Sequence, residues 1–253
     1  MTGDVLVLAD PDSVAEAAAE MFAATAESAV HERGRFTVAL AGGRTPQRLY
    51  RRLAKREFSE RIPWDAGWYA FGDERCVPPD HPDSNYRAAY DSLLSNVPIP
   101  PERILRMRGE LDQPSRAAFF YEQNLRELFL DDPWPRFDLV LLGMGADGHT
   151  ASLFPGTDAL AERERWVTAN WAPALDAWRL TLTLPALCAA RQVLFLITGQ
   201  DKAKVVAQAF CGAPHDAPHP AELVVPTDGA REILLDAEAA ALLDDEGQWS
   251  GEK

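Results

Sequence analysis

Cysteine is scarce. Cys76, Cys188 and Cys211 are scattered and odd in number, which excludes a disulfide framework and any zinc-ligand spacing and fits a reducing cytoplasm. Positive charge is short as well: 25 Lys and Arg against 39 Asp and Glu leave a net charge of −14. A chain of that sign repels nucleic acid and anionic membranes, so neither is expected as a partner. An anionic ligand would need a local basic cluster to overcome this field. No apolar run approaches the ~20 residues of a membrane-spanning helix. The start, MTGDVLVLADPDS, lacks the basic and apolar segments of a secretion signal. There is no repeat at a fixed period and no low-complexity linker.

What is present is an apolar content of 47% over 253 residues, enough for one large α/β domain or two small ones. Strand-like and helix-like segments alternate. Asp4 to Ala9 reads as a strand, followed by a helix capped by Asp12 or Ser13 and ended by Gly34. Arg35 to Ala41 reads as a strand running into Gly42-Gly43-Arg44-Thr45-Pro46 and a further helix, with Thr45 as its cap. Trp68 to Phe71 is a short strand, and Asp73-Glu74-Arg75 follows as a charged strand end or loop. Asp83 or Ser84 opens a helix that Asn96 and Pro98 close. Pro114 opens another, whose Phe119 and Phe129 are expected in the core. Arg165 to Asn170 and Arg179 to Leu184 read as strands, the second antiparallel or near an edge. Gln192 to Thr198 is a buried strand leading through Gly199-Gln200-Asp201-Lys202 into a helix that Asp201 could cap. Ile233 to Asp236 reads as a last strand, AEAAALL as a last helix, and the residues from about 244 as a frayed tail. The expected fold is a single α/β domain over residues 1–253, with a mostly parallel sheet and helices on both faces.

The chain is organised around Phe137 to Thr157, FDLVLLGMGADGHTASLFPGT. Its first part is a continuous apolar run, the signature of a strand buried on both faces. Gly143, Gly145 and Gly148 then follow in quick succession, and Asp147 and His149 sit inside the turn they make. Open α/β sheets bind ligands at such strand ends. GMGADG also satisfies the dinucleotide pattern G-x-G-x-x-G, but Asp147 would repel a pyrophosphate, and Pro155 and Gly156 cut short the helix that should follow. A tight turn with a solvated histidine is the bland alternative. The surrounding Leu153 and Phe154 favour a catalytic turn. Elsewhere, the glycine pair before Arg44 places backbone N–H groups and a helix N-terminus together, an anion site with a fixed positive charge beside it. Lys202, in a first helical turn, works against the helix dipole, which hints at use. His215 and His219 are four apart, but Pro214, Pro218 and Pro220 forbid the helix that would align them, so no metal pair is expected.

GGRTPQRLYRRLA, FGDERCVPPDHPDSNYRAAYDSLL, DLVLLGMGADGHTASLFPGT, RLTLTLPAL and ITGQDKAKV together resemble, in order, the blocks of the 6-phosphogluconolactonases, from about Leu40 to Asp236. The resemblance implies a Rossmann-like α/β sandwich, shared with glucosamine-6-phosphate deaminases and some sugar-binding regulators. It implies hydrolysis of 6-phospho-D-glucono-1,5-lactone with no cofactor and no metal. The implied partner is a small phosphosugar lactone, and the chain is expected to be a cytoplasmic monomer. The family's phosphate loop usually reads SGGSTP, whereas here Ala41 and Arg44 replace two hydroxyl residues. Deaminases resemble DGHIAFNEP; their Glu aligns with Phe154, which exchanges no proton.

By this resemblance His149 is the general base that activates water, Asp147 shapes the turn or orients the imidazole, and Arg75 steadies substrate or oxyanion. Gly42, Gly43, Arg44 and Thr45 cradle the phosphate, joined by Lys202 and Arg179. Asp73 and Asn85 hold sugar hydroxyls or only the loop. No G-x-S-x-G elbow is present, so Ser152 is assigned no nucleophilic role. The alternatives are a deaminase-like enzyme and a non-catalytic sugar-phosphate-binding regulator.

Overall fold

The computed structural model describes residues 4–130, 132–244 and 248–250. In chain order the elements are β1 (Asp4–Leu8), α1 (Pro11–Arg33), β2 (Phe36–Leu40), α2 (Arg44–Leu53), α3 (Arg56–Ser59), β3 (Gly67–Phe71), β4 (Asp73–Arg75), α4 (Asn85–Ala89), α5 (Pro114–Leu128), β5 (Leu139–Leu142), β6 (Val167–Ala172), β7 (Ala177–Leu182), α6 (Leu184–Cys188), β8 (Gln192–Ile197), α7 (Ala203–Phe210), α8 (Pro220–Leu223) and β9 (Ala230–Asp236). Six strands form a parallel sheet in the order β1-β9-β8-β5-β2-β3.

The strand period of two explains the layers. Val38, Leu40, Leu139, Leu141, Leu194 and Leu196 point to one face, where Val14, Phe22 and Ala26 of α1 and Leu49 of α2 cover them. Ala39, Val140, Leu142, Val193 and Phe195 point to the other, under Tyr121 and Leu125 of α5 and Val206 and Phe210 of α7. Every residue of β2 and β5 is buried, which is why both read as unbroken apolar runs. At the N-terminal edge of these strands, buried Asp138 accepts from Arg33 Nε at 3.0 Å and from Thr37 N and Oγ1 at 2.8 Å each. That carboxylate ties α1, β2 and β5 together at the end opposite the glycine turns.

Several local expectations are corrected. Asp10, not Asp12 or Ser13, caps α1, accepting from Ser13 N at 2.8 Å. Thr45 does not cap α2; the cap is Gly43, at a φ of 102° that a glycine adopts without cost. Asp201 makes no side-chain cap, and Lys202 itself stands at the N-cap of α7, after a 3-10 turn over Gln200–Lys202. Phe119 lies 57% exposed on α5, because Tyr121 and Leu125 occupy the face that meets the sheet. Residues 237–242 form turns rather than a helix, and Leu243 bridges Trp249, whose N–H reaches Cys211 O at 3.1 Å. The described end of the chain is therefore anchored; residues 245–247 and 251–253 of the expected tail lie outside the described residues.

The largest addition is a second sheet, order β4-β7-β6 and antiparallel. Asp73-Glu74-Arg75, read from sequence as a charged strand end or loop, is a strand of that sheet. No helix among the described residues is long and apolar enough to cross a membrane.

Candidate active site

The chain runs from β2 outward to β3 on one side and from β5 outward through β8 to β9 on the other. The order therefore reverses between β2 and β5, and a crevice opens beyond their C-terminal ends, where open α/β sheets take ligands. A cavity of about 430 Å³ lies there. Its wall contains Gly42, Gly43, Arg44 and Thr45 after β2, Asp73, Arg75 and Asn85 from the small sheet and α4, Gly145 and His149 after β5, and Lys202 after β8. The folding thus brings together nine candidate residues scattered over the chain.

At one side of the cavity is the turn after β5. His149 Nδ1 lies 2.6 Å from Asp147 Oδ1, and His149 N donates to the same oxygen at 3.2 Å. Hydrogen bonding from His149 is the main reason the Asp147 carboxyl is held down at about 2; desolvation opposes it. An ionised carboxylate only accepts, so the imidazole proton resides on Nδ1 and the Nε2 lone pair is left free. Gly145 makes the pairing possible: a Cβ there would stand 2.2 Å from His149 Nδ1 and 2.6 Å from Asp147 Oδ1. Gly148 carries a φ of 79°, and its Cβ would strike the His219 ring. The imidazole packs against Phe154 with ring centroids 4.5 Å apart.

Across the cavity, α2 points its N-terminus inward. Its first backbone N–H groups have no partner within the helix, and its dipole favours an anion. Thr45 Oγ1 hydrogen-bonds Thr198 Oγ1 at 2.8 Å, joining the ends of β2 and β8. Arg44 is exposed at the rim. Lys202 Nζ is held by Asp201 at 2.7 Å, and that contact pulls the Asp201 carboxyl below its ordinary value. An arriving phosphate would take a share of this ammonium rather than find it free.

The DER strand divides its three charges by the alternation of a strand. Asp73 and Arg75 face the cavity. Glu74 is buried, and it accepts from Arg75 N, Ser84 Oγ, Asn85 N and Tyr86 N at 2.7–3.0 Å. Burial lifts its carboxyl above the usual glutamate range against the pull of those donors. Glu74 thereby fixes the start of α4 and sets Asn85 in the wall. Asn85 Nδ2 donates to Asp73 O at 2.9 Å and to Asp73 Oδ1 at 3.1 Å. Its Oδ1 lies where a Cβ on Gly42 would come within 1.8 Å, so Gly42 is a glycine because Asn85 occupies that space.

Arg179 stands outside the cavity wall, directly opposite Arg75 in the β4–β7 register. Arg75 donates to the Asp83 carbonyl and Arg179 to the Trp178 carbonyl. Burial, and then the nearby Arg75 charge, lower the Arg179 pKa. Two guanidiniums set opposite each other repel, an arrangement that an anion at the cavity edge would relieve.

Four supporting residues were not found from sequence. Tyr50 of α2 uses its hydroxyl both to donate to Ala41 O and to accept from Ala41 N, at 2.7 and 2.9 Å, which fixes the start of the anion loop. Tyr121 does the same to Phe71 at the end of β3. Asp236 holds Gly199 N beneath Lys202 at 3.0 Å. Ser152 Oγ donates to Asp73 Oδ2 at 2.6 Å. A tyrosine at a buried helix position was the one visible signal. His215 and His219 stack at 5.3 Å and bond to Glu222 and Gln208, not to each other's lone pairs. Among the described residues, the three carboxylates close enough to share an ion are Glu16, Glu20 and Glu57. They lie on α1 and α3, outside the cavity wall, and Arg52 and Arg61 neutralise them.

Known proteins resemble this chain over most of its length. Residues 9–233 match the family model of glucosamine-6-phosphate isomerases/6-phosphogluconolactonase. A 6-phosphogluconolactonase of Nostoc sp. is 39% identical over 245 residues, covering 96% of this chain and 99% of its own. One of Rattus norvegicus is 38% identical over 244 residues, covering 95% and 94%. The solved structure of the 6-phosphogluconolactonase of Trypanosoma brucei is similar with a TM-score of 0.85 at 32% identity, over 96% of this chain and 99% of the other.

Proposed function

The chain belongs to the glucosamine-6-phosphate isomerase/6-phosphogluconolactonase family, and we propose that it acts as one of the lactonases. On this reading it hydrolyses 6-phospho-D-glucono-1,5-lactone to 6-phospho-D-gluconate, in the oxidative pentose phosphate pathway. The observation that carries the chemistry is the 2.6 Å pair of Asp147 and His149, whose imidazole lines the same cavity as the anion loop. Asp147 keeps the proton on Nδ1, and Nε2 takes one from water as its oxygen attacks C1. The C1–oxygen bond forms, the carbonyl electrons move onto oxygen, and Arg75 meets that developing charge. When the tetrahedral centre collapses, the bond from C1 to the ring oxygen breaks and the imidazolium returns its proton there. The lactone is activated enough that neither a covalent intermediate nor a cofactor is required.

Gly42, Gly43, Arg44 and Thr45 receive the phosphate through backbone N–H groups and the α2 dipole, with Lys202 as the mobile charge. Arg179 adds positive potential behind Arg75, and Asp73 and Asn85 shape the floor beneath the sugar. The whole chain works as one cytoplasmic α/β unit, as a monomer, with no nucleic acid or membrane partner.

A deaminase reading fails on one contact. The side chain packed against His149 is Phe154, 4.5 Å away and 9% exposed, which cannot relay a proton for ring opening. The purified protein is to be incubated separately with 6-phosphogluconolactone and with glucosamine 6-phosphate. Lactone loss above the spontaneous rate and no ammonia is expected. Ammonia release with lactone loss at background would overturn the proposal, and tight binding of both without turnover would favour a regulator.

A further inference from the structure

Ser152 is 1% exposed and lies outside the cavity wall, three residues after His149. All three of its polar groups are held, each by a different strand of the small sheet. Its N–H donates to Thr181 Oγ1 on β7 at 3.2 Å, and its carbonyl accepts from Asn170 Nδ2 on β6 at 2.9 Å. Its hydroxyl donates to Asp73 Oδ2 on β4 at 2.6 Å. The hydroxyl bond is the one that leads to the cavity, because Asp73 lines it and is bonded in turn to Asn85, which packs on Gly42 of the anion loop.

The backbone between His149 and Ser152 shows the consequence. Ala151 lies in the left-handed region at a φ of 48°, one of two described non-glycine residues with positive φ. An alanine avoids that region unless its surroundings impose it. Here both sides are pinned: His149 through Asp147 and through its carbonyl to Gly145 N at 2.9 Å, Ser152 through its three bonds.

We propose that Ser152 is a positioning residue for the hydrolytic reaction: its hydroxyl, bonded to Asp73, holds the turn that carries His149 in register with the floor and anion loop of the cavity. The proposal rests on the lactonase reading. Acid–base catalysis demands reacting atoms within a few tenths of an ångström of the productive geometry, and a displacement of about 1 Å costs on the order of 100-fold. A turn freed from Asp73 relaxes at Ala151 and moves the imidazole away from C1, while the phosphate remains bound on α2. The loss therefore falls on kcat rather than on KM.

The test is steady-state kinetics on 6-phosphogluconolactone for the wild type, Ser152→Ala and Ser152→Cys, with unfolding temperature measured on each. Ser152→Ala is expected to lower kcat by roughly 10- to 100-fold, with KM and inhibition by 6-phosphogluconate within about threefold of wild type. Ser152→Cys keeps the size with a weak S–H donor and should fall between the two. If the alanine protein does not fold, the cysteine variant carries the test through the same split of kcat from KM. Three results overturn the proposal. One is an unchanged kcat in a folded variant, even with a lower unfolding temperature. Another is a rise in KM alone. The third is turnover of Ser152→Ala at the uncatalysed rate with an acyl-enzyme trapped in the wild type, which would make Ser152 the attacking group. Absence of lactonase activity in the wild type would instead refute the family reading, and so is distinguished at the first measurement.

Discussion

Replacing Gly145 by alanine should disable the enzyme without unfolding it. Gly145 does not have positive φ, so an alanine backbone fits. The three atoms nearest the added Cβ would all belong to side chains: His149 Nδ1 at 2.2 Å, His149 Cε1 at 2.3 Å and Asp147 Oδ1 at 2.6 Å. Ordinary non-bonded contact begins at about 3.5 Å, so the imidazole must retreat by roughly 1.3 Å and the carboxylate by roughly 0.9 Å. Both side chains reach solvent, at 32% and 52% exposure, so they can move outward and the fold absorbs the change cheaply. What they cannot do is keep a 2.6 Å hydrogen bond and the imidazole's present place in the cavity wall. A shift of that size costs about 100-fold in rate by misplacement, and up to 10⁴-fold if acid–base catalysis is lost altogether. Lactone hydrolysis should be followed by coupling 6-phosphogluconate to its dehydrogenase, with spontaneous hydrolysis subtracted. A kcat for Gly145→Ala within threefold of wild type would refute the claim that this pair is the catalytic centre.

Asp147→Asn should keep the turn but lose the tautomer control, because an amide can donate to Nδ1 as readily as accept; turnover should fall by ~10²–10⁴-fold, and a fall below tenfold would reduce Asp147 to a shaping residue. The pairing of Asp147 with His149 depresses the folded pKa to about 2. Its contribution to stability is therefore fully present above the ordinary aspartate range and is lost as pH falls toward 2. Any acid limb of activity near neutrality then belongs to another group, and a limb that Asp147→Asn removes while leaving the imidazole titration intact by NMR would contradict this. Lys202→Ala and Arg44→Ala should weaken the phosphorylated lactone by tenfold or more and leave the unphosphorylated lactone unchanged within about twofold, since charge-assisted bonds to phosphate are the interaction removed. Equal losses on both lactones would show that neither side chain reads phosphate.

The parts of the fold legible in the sequence were those set by local chemistry. β2, β5 and β8 are buried on both faces, and their apolar runs say so directly. The glycines after β2 and β5 marked the crevice because a close approach or a positive φ is written in residue identity. Long-range polar contacts were not legible. Asp73-Glu74-Arg75 read only as a charged strand end or loop because three charges in a row hide that Asp73 and Glu74 are buried, the second with four donors waiting on Ser84, Asn85, Tyr86 and its own neighbour. Phe119 looked like core because helical spacing alone does not say which of two aromatic faces meets the sheet, and Tyr121 takes it. Ser152 belongs to no nucleophile motif, and its partner Asp73 lies 79 positions earlier in the chain. The cap positions slipped by one to three residues, since Asp10, Asp12 and Ser13 are all competent caps and tertiary packing of α1 chooses among them.

The central claim is that the free Nε2 of His149 removes a proton from water. His149→Asn keeps a polar side chain of similar reach while removing that transfer, and the pH–rate profile of kcat should be measured for it beside the wild type. The account predicts a loss of roughly 10²–10⁴-fold, little change in KM, and an acid limb in the wild type that is absent from the variant. Near-normal turnover in His149→Asn with the same acid limb would contradict it.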